Sequence, residues 1–295
     1  MAVIENHAVF EIPLALAWMR GSPAASIWLR ELPARVERCA RRWDLELAEP
    51  FPQSFVAVVF PATRRDGSRA VLKIQYPHQE SEHEAEALRA WNGKGAVNLF
   101  DHDPEEHALL LERCQPGDHL AGVKQDEALI VFADILPRLW ISAGAPFRRL
   151  AEEAALWAER LPAEWEAAGR PFERALIDSA LAALDFLIGT QGEQVLLSQD
   201  LHGDNVLRAQ RGWLAIDPKP LVGERELALA PIIRGYDFGH SRANVCQRLN
   251  WLTGTLQLDR ERARTWALAQ TLAWSFEGTV ACDKHIQTAR WLLEI

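Results

Sequence analysis

The alternation of hydrophobic and polar residues predicts a β-rich first part of the chain, followed by a helical second part. Asp66-Gly67 lies between two apolar runs, which is a strong hairpin signal. Helical spacing of apolar residues and a run rich in Ala, Glu and Leu predict two helices in the same part. The predicted strands are 55–60, 70–74, 97–100 and 107–111, and the predicted helices are 26–43 and 80–91.

After Gln115-Pro116-Gly117 the pattern becomes mostly helical, and Gly189 follows one apolar stripe where a helix-ending glycine is expected. Helices are predicted over 124–140, 146–160, 171–188, 241–253, 258–274 and 283–293, with short strands at 195–197 and 213–216. The pattern therefore predicts an α+β fold with two lobes. A small antiparallel-sheet lobe would cover residues 1–114, and a larger, mainly helical lobe would cover residues 115–295.

Composition excludes several classes of protein. The chain has 295 residues, of which 48% are hydrophobic and 25% charged, and no run approaches the ~18 apolar residues that a membrane span needs. The net charge of −9 disfavours nucleic acid and anionic membranes as partners. Residues 1–20 include Glu5 and lack a basic start, so no signal peptide is predicted. Four cysteines without metal-binding spacing (Cys39, Cys114, Cys246, Cys282) indicate free thiols and a cytoplasmic location.

The polar loop after the strand at 195–197 carries the strongest chemical signal. Asp200 and Asn205 have the D-x-x-x-x-N spacing of kinase catalytic loops, in which the Asp accepts a hydroxyl proton and the Asn binds Mg²⁺. The second metal ligand should follow the Asn by about one hairpin. Asp217 lies 12 residues after Asn205, whereas Asp237, in a literal Asp-Phe-Gly, lies 32 residues after it. We therefore predict Asp217, and not Asp237, as the second Mg²⁺ ligand.

A lysine near the end of a predicted strand supplies a second signal. Lys73 in Ala70-Val71-Leu72-Lys73 resembles the strand lysine that kinases use to contact ATP phosphates. Its ion-pair partner should come from the next helix, where four glutamates alternate with other residues (Glu80, Glu82, Glu84, Glu86). Since these point to different faces, one or two should face the sheet, and Glu84 is favoured. The other interpretation is that all four form a solvated face.

Together, these segments resemble the aminoglycoside phosphotransferase superfamily and, within it, the streptomycin 6-kinase/hydroxyurea phosphotransferase family. The resemblance covers nearly the whole chain, and residues 200–207 with 215–224 are its most specific part. It implies a protein-kinase-like fold, ATP and Mg²⁺ as cofactors, and ATP bound between the lobes. It also implies transfer of the γ-phosphate to a hydroxyl group of a small molecule.

The same resemblance implies roles for individual residues. Asp200 would be the catalytic base, Asn205 and Asp217 the Mg²⁺ ligands, and Lys73 with Glu84 the pair that orients the phosphates. Residues 1–114 would then be the nucleotide-binding lobe, with the catalytic loop and the acceptor site in residues 115–295.

Two further segments of this sequence match the family pattern, and three positions differ from it. His202 matches the loop histidine, and Glu112-Arg113-Cys114 lies where the hinge backbone would contact adenine. Ser198-Gln199 replaces the usual His-Gly, the loop at 51–54 lacks glycine, and Ala228 replaces an acidic residue. These departures affect the expected rate and substrate more than the expected fold.

The acceptor is left open by the sequence. The resemblance suggests a streptomycin-like aminocyclitol or hydroxyurea, and an unidentified metabolite is the alternative. A cationic acceptor would suit five carboxylates of the helical part, although carboxylates in such positions more often belong to a solvated face (Asp178, Asp185, Glu224, Glu277, Asp283). Trp251, Trp274 and Trp291 either border the acceptor pocket or belong to the core.

Two other classes of function compete with the kinase hypothesis. One is a pseudokinase that binds nucleotide without transferring phosphate, which the departures at Ser198 and Ala228 favour and the intact base and metal ligands disfavour. The other is a metallohydrolase that uses Asp200, His202 and Asp204, although no HExxH motif or second histidine cluster accompanies them.

Overall fold

The chain divides into two compact units in a computed structural model that describes residues 10–295. The first unit runs to Gly93 and resumes at Val97–Gln115, and the second comprises Lys94–Ala96 and Pro116–Ile295. The short segment Lys94–Ala96, which the sequence analysis placed in the first lobe, joins the second unit through its backbone: the N–H of Ala215 donates to the carbonyl oxygen of Gly95, at 2.8 Å. Residues 1–9, part of the stretch tested for a signal peptide, lie outside the described residues.

A five-stranded antiparallel sheet forms the centre of the first unit, in the order β1-β2-β3-β5-β4. Its strands are β1 (Leu45–Leu47), β2 (Ala57–Arg64), β3 (Arg69–Gln75), β4 (Leu99–Asp103) and β5 (Ala108–Glu112). The hairpin predicted at Asp66-Gly67 is confirmed, because β2 and β3 pair in register on either side of it and Gly67 has φ +80°. β1 was not predicted, since three residues are too few to show a period.

Two helices accompany this sheet: α1 (Pro23–Arg42) and α2 (Glu84–Trp91). Helix α1 packs Trp28 and Leu32 against Phe60 and Leu72 of the sheet, and this burial keeps the helix continuous through Pro33. The predicted helix over 80–91 is wrong in its first four residues. His83 has φ +65°, so the chain turns there and α2 begins at the following residue.

Helices dominate the second unit. They are α3 (Gln125–Leu139), α4 (Leu150–Ala167), α5 (Arg174–Gly189), α6 (Ala230–Arg234), α7 (Arg242–Leu256), α8 (Arg260–Ala273) and α9 (Asp283–Glu294). The prediction of α4 was wrong in its bounds, because Trp165 is buried beyond Pro162 and the helix continues. The prediction of Gly189 as a cap was also wrong: Thr190 follows it as the cap, and its hydroxyl donates to the carbonyl oxygen of Phe186.

Short strands carry the polar loop of the second unit. They are β6 (Val195–Ser198), β7 (Val206–Ala209), β8 (Gly212–Ala215) and β9 (Pro220–Gly223), and a further pair, β10 (Phe276–Glu277) with β11 (Val280–Ala281), follows α8. β6 pairs with β9 and β7 with β8, so the β7–β8 hairpin is nested between the strands of the outer pair. Of the four strands β6 to β9, only β6 and β8 were predicted. Within residues 10–295, no helix is long and apolar enough to cross a membrane.

Candidate active site

Lys73 and Glu84 form a buried ion pair in the first unit. The Lys73 ammonium nitrogen lies 2.9 and 2.8 Å from the two carboxylate oxygens, and the residues are 6% and 2% exposed. Gln75, two residues along β3 and therefore on the same face, donates its amide to the same carboxylate. Glu84 can reach the sheet because the turn at His83 makes it the first residue of α2. Of the four candidate glutamates, Glu84 is the buried one.

The nested strands bring the predicted metal ligands to one end of a hairpin. Asn205 directly precedes β7, and Asp217 follows β8 by two residues. The backbone N–H of Ile216 donates to the carbonyl oxygen of Asn205 at 2.9 Å, which closes this end of the hairpin. The Asn205 amide donates through Nδ2 to the carbonyl oxygen of Asp200 at 3.0 Å, so its orientation is set by that bond. Asp217 has φ +49°, a conformation that Asp tolerates better than most residues.

This donor set fits Mg²⁺. The ion prefers hard oxygen ligands, and it is usually held by one or two carboxylates together with phosphate oxygens and water. Because Nδ2 of Asn205 is engaged with Asp200, Oδ1 is the amide atom suited to a cation. The Asp217 carboxylate supplies the second hard donor, at the same end of the hairpin.

Two cations contact the Asp200 carboxylate. Nζ of Lys219 lies 3.0 Å from Oδ2, and Nη2 of Arg234 lies 3.9 Å from Oδ1. Neither residue was predicted as part of the site. Lys219 could have been found, since it follows Asp217 by two residues in the most specific part of the family resemblance. Arg234 had no local signal, because α6 is only five residues long and Arg234 follows Asp200 by 34 residues.

His202 and the literal Asp-Phe-Gly segment stabilise the loop around Asp200. Nδ1 of His202 accepts a hydrogen bond from the backbone N–H of Asp204 at 3.3 Å, and Oδ2 of Asp237 accepts one from the N–H of Gly203 at 3.2 Å. Ligating atoms of His202, Asp204 and Asp237 lie within 4.8 Å of one another. Asp200 does not belong to this group, so the three residues of the hydrolase hypothesis do not form one cluster.

Arg248 anchors the segment that contains Asp237. Its buried guanidinium donates to the carbonyl oxygens of Ile233 and Gly239, at 3.1 and 3.0 Å. Burial lowers the pKa of Arg248 to about 10, and the nearby Asp237 carboxylate opposes this effect. The arginine therefore stays charged at neutral pH, beside the Asp237 carboxylate.

The segment expected to contact adenine, residues 112–114, begins at the last residue of β5. The Glu112 carboxylate accepts hydrogen bonds from the N–H and the side-chain amide of Asn98, at 2.9 and 2.7 Å, and Cys114 is buried. The side chain of Glu112 thus has a role within the first unit. An adenine contact would fall to the backbone of residues 112–114, and it stays a prediction.

Glu224 is not an acceptor-binding carboxylate, which corrects the expectation from the sequence. It is 2% exposed, and both its oxygens accept from Nε of Arg262, at 2.9 and 2.8 Å. The indole N–H of Trp266 donates to it at 2.8 Å, and the backbone N–H of Gly192 also donates to it. This carboxylate ties β9, α8 and the segment before β6 together.

The other candidate acceptor residues have varied surroundings. Asp178 forms an exposed ion pair with Arg174, one helical turn away. Trp274 lies beside the cations that contact Asp200, whereas the ring of Trp291 packs against His240 at 4.8 Å. Only Trp274 among these is connected to the predicted base by the contacts described.

The sequence of this chain is similar to those of known small-molecule kinases. The family described as aminoglycoside/hydroxyurea antibiotic resistance kinase matches residues 42–277. The chain is 40% identical to the hydroxyurea phosphotransferase of Kitasatospora aureofaciens, over 97% of this chain and 87% of that protein. It is 39% identical to the streptomycin 6-kinase of Streptomyces griseus, over 87% of each.

Solved structures support the fold. The aminoglycoside phosphotransferase APH(4)-Ia, in a ternary complex with ADP and hygromycin B, superimposes with a TM-score of 0.63 at 13% identity, covering 88% of this chain and 95% of that one. The choline kinase LicA from Streptococcus pneumoniae superimposes with a TM-score of 0.59 at 12% identity, covering 88% and 97%. The expected α+β, protein-kinase-like fold is therefore confirmed. The chain belongs to the aminoglycoside/hydroxyurea antibiotic resistance kinase family, and it is an ATP-dependent small-molecule kinase.

Proposed function

We propose that this kinase transfers the γ-phosphoryl group of ATP to the hydroxyl group of a streptomycin-like aminocyclitol or of hydroxyurea, with Asp200 as the base. The main support for this proposal is the β7–β8 hairpin, which holds Asn205 and Asp217 at one end. The Asn205 side chain also donates a hydrogen bond to the backbone of Asp200. Two relatives suggest these acceptors: a hydroxyurea phosphotransferase at 40% identity and a streptomycin 6-kinase at 39% identity. Since both are nearly equally similar to this chain, both acceptors are proposed.

The chain's own residues would act mainly by positioning and by neutralising charge. Asp200 would align the acceptor hydroxyl group and accept its proton late in a loose transition state. Lys73, fixed by Glu84, would orient the phosphates. Asn205 and Asp217 would hold Mg²⁺, which neutralises phosphate charge when it is bound. The segment 112–114 would contact adenine through its backbone, and His202 would keep the loop after Asp200 in shape.

The first test is acceptor phosphorylation by the purified protein. We expect ADP release with Mg-ATP that depends on streptomycin or hydroxyurea in a panel of aminocyclitols, hydroxyurea and simple sugars, with the phosphorylated acceptor seen by mass spectrometry. Asp200→Asn should lower kcat by about 10²–10⁴-fold while ATP still raises the melting temperature. ATP binding without phosphorylation of any panel member would favour the pseudokinase hypothesis or an unidentified metabolite, and would contradict the proposed acceptors.

A matched pair of variants tests the assignment of the metal ligands. Asp217→Asn should raise the Mg²⁺ concentration that gives half-maximal activity, because one carboxylate ligand is lost. Asp237→Asn makes the same chemical change in the literal Asp-Phe-Gly segment and should leave that concentration unchanged. The reverse result would assign the metal to Asp237.

The cytoplasmic location stays a prediction. The four cysteines are free thiols, which is usual for proteins of a reducing compartment. Fractionation of cells that express the full-length chain would test it, with the protein expected in the cytosolic fraction.

A further inference from the structure

Asp200 lies in a closed ring of contacts whose other members have no role in the mechanism proposed above. Lys219 holds one carboxylate oxygen at 3.0 Å, and Arg234 lies 3.9 Å from the other. Nη1 of Arg234 donates to the Gln270 side chain at 2.9 Å, and the Gln270 amide donates to the backbone carbonyl oxygen of Gln199 at 3.0 Å. The N–H of Gln199 donates to the carbonyl oxygen of Lys219 at 3.1 Å, which closes the ring.

We propose that Lys219 and Arg234 are positioning residues, which hold the Asp200 carboxylate in the orientation that accepts the acceptor's proton. This inference rests on the proposed role of Asp200 as the base. Lys219 lies within hydrogen-bonding distance of one carboxylate oxygen and Arg234 lies at ion-pair distance from the other, so both charges favour the same orientation of the carboxylate. A base that is held in one orientation needs little rearrangement when the hydroxyl group arrives.

Burial makes one side of this ring rigid. Arg234 is 6% exposed and Gln270 is fully buried. Burial lowers the pKa of Arg234, and the Asp200 carboxylate opposes that effect. The side chains of Lys219 and Asp200 are 25% and 16% exposed, so they form the part of the ring that solvent and ligands can reach. Arg234 is therefore the fixed member of the pair and Lys219 the accessible one.

Trp274 keeps the two cations together. The ammonium of Lys219 lies 5.0 Å and the guanidinium of Arg234 lies 4.8 Å from the centre of its indole ring, within the range of cation–π attraction. His285, whose Nδ1 lies 2.9 Å from the Trp274 carbonyl oxygen, adds no third charge. Burial, with Arg234 as the next cause, lowers the pKa of His285 to about 4, so it is neutral at neutral pH. Like-charged neighbours are thus tolerated because a carboxylate and an aromatic face offset their repulsion.

Variants of Lys219 test the proposal, because this residue is partly exposed and its loss leaves the buried side of the ring in place. Lys219→Ala should lower kcat by about 10²-fold with little change in the KM for ATP, since a misplaced base slows the chemical step. Lys219→Arg should recover part of the activity. Added propylamine should raise the kcat of Lys219→Ala and leave wild type unchanged, because the amine can occupy the vacated position beside Asp200.

Lys284→Met is the matched control. Lys284 is also a lysine of the second unit placed over an aromatic ring, 4.1 Å from the centre of Tyr236, and the contacts described do not link it to Asp200. It should keep the wild-type kcat and show no response to propylamine. Arg234→Met removes a buried charge and is expected to be less stable, so Arg234→Lys, assayed well below its melting temperature, provides the second measurement. It should lower kcat with the KM for ATP unchanged.

Three results would overturn the inference. A wild-type kcat in Lys219→Ala would show that Asp200 needs no such support. A raised KM for the acceptor with an unchanged kcat would make Lys219 a substrate contact instead. Absence of acceptor phosphorylation by the wild-type protein would contradict the proposed function itself, and the positioning role with it.

Discussion

Each unit of the molecule contains a buried carboxylate paired with a cation, and the two pairs differ in what else they hold. In the first unit, Glu84 accepts from the side chains of Lys73 and Gln75. In the second unit, Glu224 accepts from Arg262, from the Trp266 indole and from the backbone of Gly192. Arg262 also donates to the carbonyl and hydroxyl oxygens of Thr190.

Both carboxylates are 2% exposed, so burial alone does not separate the pair proposed to orient phosphates from the pair that links parts of the fold. The difference lies in the partners. The Glu224 pair satisfies backbone groups between α5 and β6, and without it these groups would lose their hydrogen bonds. The Lys73–Glu84 pair joins strand β3 to helix α2 through side chains. The Lys73 ammonium group carries the positive charge that attracts phosphate oxygens. A buried ion pair is by itself weak evidence of a contribution to stability. The groups that hydrogen-bond to the pair are the better guide to its role.

The largest effect should come from breaking the structural pair. Glu224→Gln puts an amide where several donors converge and leaves the Arg262 charge uncompensated, so it should lower the free energy of unfolding by about 3–5 kcal/mol. Urea unfolding followed by tryptophan fluorescence would measure this change. Glu277→Gln, the same substitution at an exposed strand residue, should unfold at the wild-type urea concentration. Equal stability of all three proteins would contradict the structural role of Glu224.

Breaking the Lys73–Glu84 pair should lower activity more than stability. Lys73→Met removes the charge proposed to orient the phosphates, so turnover per folded molecule should fall by about 10²–10³-fold. Steady-state kinetics, corrected for the folded fraction from a melting curve, would measure the loss. Lys73→Arg, which keeps the charge, should retain more activity. Wild-type turnover in Lys73→Met would exclude Lys73 from the site.

Replacing each pair by apolar residues sharpens the comparison. Lys73→Met with Glu84→Leu removes both charges, and adding Gln75→Leu removes the buried amide that donates to Glu84. Buried pairs can often be replaced in this way at little cost, so this triple variant should melt near the wild-type temperature and be inactive. Arg262→Met with Glu224→Leu leaves the buried indole N–H of Trp266 without its acceptor, and a buried unpaired group costs about 1–3 kcal/mol. If this second variant melted like wild type, the proposed distinction would fail.

The smallest effect should come from an exposed pair, Glu173 with Arg290, whose side chains are 46% and 41% exposed. The hydrogen bond from Arg290 lowers the pKa of Glu173 to about 2, from an ordinary value of 4.5. A lowered carboxyl pKa stabilises the fold above the ordinary value, and the contribution is lost as the pH falls from 4.5 towards 2. Since solvent screens this pair, Glu173→Gln should cost less than about 1 kcal/mol at pH 7. A larger loss in urea unfolding, or one that persists at low pH, would show that the pair is not screened.

Much of the fold was predictable wherever a local pattern is repeated. The Asp66-Gly67 hairpin and α3 lie close to their predicted positions, because turn chemistry and apolar period operate over neighbouring residues. Errors occurred where tertiary contacts override the local pattern. Burial of Trp165 carries α4 past a proline, and the left-handed turn at His83 shortens α2.

Within the candidate site, the residues whose spacing reflects one hairpin could be predicted from the sequence alone. Asn205 and Asp217 lie 12 positions apart because β7, its turn and β8 occupy the residues between them, and Lys73 lies in its strand. Packing in three dimensions brings Arg234 beside Lys219 at Asp200 and pairs Glu224 with Arg262. These partners are 34 and 38 residues apart and come from helices whose positions depend on packing. A charge pattern along the chain records which groups exist, whereas burial and packing decide which of them meet.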